Sequence, residues 1–196
     1  MSDIVRFEIA PERYRDFQLR VHVNDVEITS AGAGIGRDPH HLLLPDNLLV
    51  ATEEPREVVI ATCECGEYGC GRTDVTIVRE ADIVRWKWLY EKPMKDDAVF
   101  DAEAYDREVE RIGGDFSWET PDRTAARLVF AGLAGRKVVW AGADWEHPER
   151  FQVCVENAHG REVVEHFHRE GRSPEELARA VVEKIGREDR GAEPFA

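Results

Sequence analysis

The chain has 196 residues, with 26 Lys and Arg against 40 Asp and Glu, a formal net charge of −14. That excess opposes unassisted binding to nucleic acid or to an anionic membrane and leaves a basic protein as the partner that charge would favour. No stretch approaches the roughly 18 consecutive apolar residues of a membrane helix, and Met1 to Arg6 lack the basic start and apolar run of a signal peptide. With four cysteines and no such signal, the expectation is a cytoplasmic protein whose thiols are reduced or metal-bound.

The expected fold class is α+β, a mostly antiparallel sheet packed with about three helices. Residues 1–186 are expected to form one domain and 187–196 a flexible tail. Ile4 to Ile9 reads as a strand. Phe17 to Val23 and Val26 to Thr29 read as a hairpin, because Asn24 and Asp25 tolerate the positive φ of a tight turn. Gly32, Gly34 and Gly36 follow. Arg37 stands where a dinucleotide fingerprint needs its third glycine and no convincing helix opens after it, so the segment is expected to be a flexible connector. From His40 to Pro55 the chain is leucine-rich but interrupted by Pro45 and Pro55, which predicts one short turn of helix or an irregular packed segment.

The next two strands enclose the most concentrated chemistry in the chain. Glu57 to Thr62 and Arg72 to Val78 are rich in β-branched residues and bounded by glycines, so they predict a hairpin with Cys63, Cys65 and Cys70 at its tip. With Glu67 and Tyr68 as central turn residues, Cys65 would oppose Cys70, Cys63 would share their face, and Val58, Ile60, Val75 and Ile77 would occupy the other. A one-residue slip would exchange the faces. Three converging thiols can bind zinc with a fourth ligand from Cys154, His40 or His41, although the spacing departs from paired Cys-x-x-Cys patterns. The same thiols can instead serve redox chemistry, with a Cys65–Cys70 disulfide resolved by Cys63, or can simply pack around turn glycines.

Ile83 to Tyr90 completes a three-strand meander, in which Val84, Trp86, Trp88 and Tyr90 share one face as half of a core or as a stacking platform for sugars. Ala102, Tyr105, Val109 and Ile112 then recur at helical spacing, with Asp101 as N-cap and Phe100 placed to staple Tyr105. A second helix begins at Thr120-Pro121 and runs to about Ala134. Strands follow at Lys137 to Trp140, Phe151 to Glu156 and Arg161 to His168, the last two joined by the Asn157 to Gly160 turn. His166 and His168 share a strand face, a way to present imidazoles to a metal that on a surface strand is more often simply solvated. The final helix opens with a capping box at Ser173 to Glu176 and is expected to stop before Gly186.

No Gly-x-Ser-x-Gly or His-Glu-x-x-His occurs, which leaves a conventional hydrolase without support. Arg37-Asp38-Pro39, Glu54 to Val58, the Cys-x-Cys-Gly-x-x-Gly-Cys-Gly motif at 63–71, Val84-x-Trp86, Phe100-Asp101, Tyr105 and Asp144-Trp145 resemble a bacterial, largely actinobacterial, protein family of uncharacterised activity. The resemblance extends over most of the chain. It implies a shared fold and a cytoplasmic bacterial setting, and no activity. The leading expectation is a non-enzymatic binding or regulatory module whose cysteine turn holds structural zinc. The alternatives are a thiol-dependent enzyme or redox sensor, and an acidic inhibitor or immunity-type protein that covers a basic partner.

Overall fold

Alternation of apolar and polar residues dominates the first half of the chain, and in the computed structural model that half is mostly sheet. The structure describes residues 2–13, 16–65, 70–157 and 159–190, without the side chains of 188–190. The fold is α+β with antiparallel sheets. It falls into two compact units, Met1–Asp115 and Phe116–Ala196, each with its own core, within the span expected as one domain.

In the first unit, strand β1 (Val5–Glu12) pairs antiparallel with β2 (Asp16–Val23), which pairs with the two-residue β3 (Val26–Glu27). Asn24 and Asp25 adopt φ of 50° and 65° at the β2–β3 turn, the left-handed conformation that their short polar side chains tolerate. The expected strand through Thr29 ends two residues early. Glu27 instead caps the short helix α1 (Ile28–Ala31), accepting from Ser30 N at 3.0 Å.

The glycine segment is not a free connector. Ile35–Gly36 forms strand β4, which pairs with the start of a five-stranded sheet, and Gly36 N donates to the buried Gln18 Oε1 at 2.9 Å. A Cβ on Gly36 would collide with the backbone carbonyl of Leu19, so glycine is required here by close approach and not by loop freedom. Helix α2 (Pro39–Leu43) is the short turn expected, opened by Asp38, whose side chain accepts from His40 N at 2.9 Å, with Pro39 at the first position.

The meander is present and longer than expected: β5 (Arg56–Thr62), β6 (Arg72–Glu80) and β7 (Ile83–Tyr90) are flanked by β4 on one edge and β8 (Ala98–Asp101) on the other. Val58, Ile60, Val75 and Ile77 are all buried, as are Val84, Trp86 and Trp88, so the aromatic stripe is core; only Tyr90 emerges. Helix α3 (Ala102–Gly113) covers this face. Asp101 caps it through Ala104 N, and Phe100 lies 5.6 Å from the Tyr105 ring, the expected staple. The Tyr105 hydroxyl donates to Leu49 O at 2.6 Å and accepts from Trp86 Nε1 at 3.1 Å, which satisfies three buried polar groups at the centre of the core.

In the second unit, α4 (Pro121–Gly132) and α5 (Pro174–Arg190) pack on a sheet ordered β11 (Glu162–His168), β10 (Arg150–Glu156), β9 (Val138–Ala143). Ala125, Val129, Leu177, Val181 and Ile185 meet Phe151, Val153 and Phe167 in its core. Ser173 accepts from Glu176 N and Glu176 returns to Ser173 N, the capping box read from the sequence. Helix α5 does not stop before Gly186 but continues to Arg190. A helical glycine costs about 1 kcal/mol, and no proline stands between Gly186 and Arg190 to enforce a stop, while Arg187 pairs with Glu183 one turn back.

Candidate functional site

The cysteine turn grows out of the β5–β6 ladder. Its register runs Val58↔Val75 and Val59↔Asp74, then shifts to Ala61↔Thr73 and Thr62↔Arg72, which leaves Ile60 as the extra residue of a β-bulge. The bulge absorbs the one-residue slip that would otherwise exchange the two faces, and Ile60 remains fully buried. Regular pairing ends at Thr62↔Arg72, where Cys63 N donates to Gly71 O at 2.9 Å. The ladder therefore brings Cys63 to Gly71, and the expected strand pairing of Cys65 with Cys70 is not part of it. Glu67 and Tyr68, the expected central turn residues, lie outside the described residues.

Convergence of the three thiols holds. Cys63, Cys65 and Cys70 place their Sγ atoms within 4.8 Å of one another, close enough to hold a metal ion. Cys63 is half-buried, Cys65 and Cys70 are exposed, and all are free thiols. Cys63 Sγ and Cys65 Sγ stand 2.7 Å apart. Two thiolates on one tetrahedral zinc ion, each at about 2.3 Å from it, sit about 3.8 Å from one another. Cys63 and Cys65 would need to part by about 1 Å, within reach of side-chain rotation on an exposed turn.

Hydrogen bonding makes the Cys63 thiol more acidic than an ordinary one. Its thiol is lowered to about 7, first by the hydrogen bond from Cys65 and next by that from Cys70, with partial desolvation opposing and the backbone at Cys65 and Gly71 adding to the effect. Donors aimed at sulfur favour the thiolate, the form that binds metal and attacks electrophiles.

The glycine segment lies beside this turn. Ala33 N donates to Thr73 Oγ1 at 2.9 Å, and a Cβ placed on Gly34 would stand 3.8 Å from Glu64 Cγ. On the ladder itself Asp74 is buried beside Arg72, with Oδ2 2.9 Å from the guanidinium and Oδ1 lacking a partner. Burial raises its carboxyl, Arg72 counteracts this, and Glu57 adds to it.

The fourth ligands proposed from sequence do not join the group. His40 and His41 lie on α2, His40 buried, and neither is among the three converging ligands. Cys154 belongs to the other unit, buried in β10, where burial and then Glu162 raise its thiol, the opposite of an activated one. His166 and His168 are exposed on β11, opposite Gln152 and Arg150. A guanidinium directly across from an imidazole works against a dication at that pair.

Sequence reasoning missed the bulge at Ile60 and the packing of β4 beside the turn. The run Gly32-Ala33-Gly34-Ile35-Gly36 carried a signal for the latter, since small residues permit close backbone approach. No helix among the described residues is long and apolar enough to cross a membrane. No family model, curated protein or solved structure matches the chain.

Proposed function

We propose that the chain is a metal-binding module in which Cys63, Cys65 and Cys70 hold a zinc ion that staples the β5–β6 turn, serving a binding or regulatory role and not a catalytic one. The observation that carries this reading is the convergence of three Sγ atoms within 4.8 Å. Thiolates select borderline-soft ions such as zinc over calcium or magnesium, and closing a turn with metal links binding to folding. Titration of the reduced chain with zinc against a chromophoric chelator tests it. One ion per chain is expected, with uptake lost on Cys63→Ser, Cys65→Ser or Cys70→Ser; the same weak uptake in wild type and all three variants contradicts it.

A second reading rests on the 2.7 Å approach of Cys63 to Cys65 and on the acidity of Cys63. The Cys63 thiolate would attack a small disulfide and expel one of its sulfurs as thiolate. Deprotonated Cys65 would then displace the other and close a Cys63–Cys65 bond, with both electrons passing to the small disulfide. A redox titration against glutathione that shows a two-thiol couple lost in Cys63→Ser supports it. Thiols that remain reduced in an excess of oxidised glutathione refute it.

A further inference from the structure

The thiols of the β5–β6 turn are held from both arms of the ladder. Cys63 directly follows β5, Cys70 stands just before β6, and the bond from Cys63 N to Gly71 O at 2.9 Å fixes one arm against the other. Cys65 returns its Sγ to 2.7 Å from Cys63 Sγ, and all three sulfurs lie within 4.8 Å of one another. Among the described residues no His, Asp or Glu joins that group. The donor set is therefore three sulfurs.

Donor number and spacing discriminate between ions. Tetrahedral zinc takes a fourth ligand and spreads its thiolates to about 3.8 Å apart. Trivalent arsenic is soft, bonds three sulfurs, and carries a lone pair where zinc carries its fourth ligand. That lone pair presses the three bonds toward right angles, so their sulfurs sit closer together than sulfurs on zinc. The 2.7 Å approach of Cys63 to Cys65 thus lies nearer the arsenic arrangement than the zinc one.

Charge and exposure agree with this choice. Arsenous acid is uncharged near neutral pH, so a net charge of −14 does not repel it as it would a phosphate-like anion. Cys65 and Cys70 are exposed, which opens the cluster to a small solute, whereas Cys154 is buried in the other unit and takes no part.

We infer that Cys63, Cys65 and Cys70 form a three-thiol site for trivalent arsenic, taken up as arsenous acid. This rests on the three-thiol reading proposed above. Each Sγ forms a bond to arsenic as one arsenic–oxygen bond breaks, and each departing hydroxyl leaves as water with the proton of that thiol. Three thiols and one arsenous acid give one tris-thiolate and three waters. Arsenic stays trivalent throughout, and no oxidant or reductant is consumed.

Sodium arsenite is the probe, added without oxygen to the whole reduced chain, with zinc titrated in parallel. Native mass spectrometry counts the arsenic bound, and a thiol reagent counts the cysteines left. One arsenic per chain with three thiols masked is expected. Cys63→Ser, Cys65→Ser and Cys70→Ser are each expected to weaken binding at least about a hundredfold, because the third bond closes within the chain. Cys154→Ala is expected to leave it unchanged. Phenylarsine oxide, whose arsenic has only two exchangeable positions, is expected to bind Cys70→Ser as it binds wild type, which shows the remaining pair intact in that variant. Zinc uptake by a chain in which arsenite masks fewer than three thiols overturns the arsenic site and leaves the zinc reading standing. Arsenite binding of full strength in all three serine variants also overturns it. Arsenic held by three thiols in a chain that takes up no zinc supports the arsenic site and removes the zinc staple. Failure to bind either ion ends both readings.

Discussion

The acidity of Cys63 yields a rate that can be worked out before it is measured. Its thiol is lowered from an ordinary 9.0 to about 7. At pH 7 about half of Cys63 is then thiolate, against about 1% of an ordinary thiol, a gain of about fiftyfold in the reacting species. A less basic thiolate is a poorer nucleophile, and with a Brønsted slope of about 0.45 the two-unit drop costs about eightfold. The net expectation is alkylation by iodoacetamide about sixfold faster than an unperturbed exposed cysteine at pH 7, with the rate rising through an inflection near pH 7. The assay is a pulse of iodoacetamide on metal-free, reduced protein across pH 5.5 to 9.5, read by peptide mass spectrometry. Cys154 serves as an internal control because it is buried and its thiol is shifted upward. Cys65→Ala removes the largest cause of the shift and is expected to move the Cys63 inflection upward. An inflection at or above pH 8.5 in wild type, or one that Cys65→Ala leaves in place, refutes hydrogen bonding within the cluster as the source of the acidity.

Other outcomes follow from the packing. Tyr105→Phe keeps the ring but leaves Leu49 O without its donor and Trp86 Nε1 without its acceptor; a loss of about 2–4 kcal/mol in urea unfolding is expected, and a change below about 0.5 kcal/mol would contradict the assignment. In the second unit a Cβ on Gly132 would stand 2.6 Å from Val182 Cγ2. Gly132→Ala should therefore destabilise by about 1–3 kcal/mol despite the better helix propensity of alanine, with Val182→Ala recovering part of the loss in the double variant. Burial first, and Glu57 after it, raise the Asp74 carboxyl, with Arg72 opposing. The folded chain thus holds that proton more tightly than the unfolded one, so the group's contribution to stability is greatest below pH 3.8 and diminishes as pH rises past that value. Asp74→Asn should flatten the decline in stability over that window, and an unchanged slope would count against the burial argument.

Local patterning made most of the elements legible. Alternation at Val84, Trp86 and Trp88 marks the central strand because each faces a core that α3 closes, and the Asp101, Thr120 and Ser173 caps mark helix starts because each satisfies backbone donors nearby in sequence. Features decided by contacts distant in sequence were not legible. β4 exists because Ile35 and Gly36 find Thr62 and Ala61, and nothing local distinguishes that from a loop. Gly186 reads as a helix stop, yet the apolar stripe through Ile185 and the charged pair beyond it carry α5 onward. At the site, the cysteine spacing announced convergence. The bulge at Ile60 lay hidden because it is set by the register between β5 and β6 and not by any local pattern.

The most direct test of the central claim is the metal content of the whole chain, purified without a histidine tag or chelator, by elemental and native mass spectrometry with a count of reactive thiols before and after chelation. One zinc ion per chain, with Cys63, Cys65 and Cys70 protected until the metal is removed, is the result predicted by a metal-stapled turn. A chain that carries no metal, takes up none when zinc is supplied, and labels at all three cysteines from the outset would contradict it.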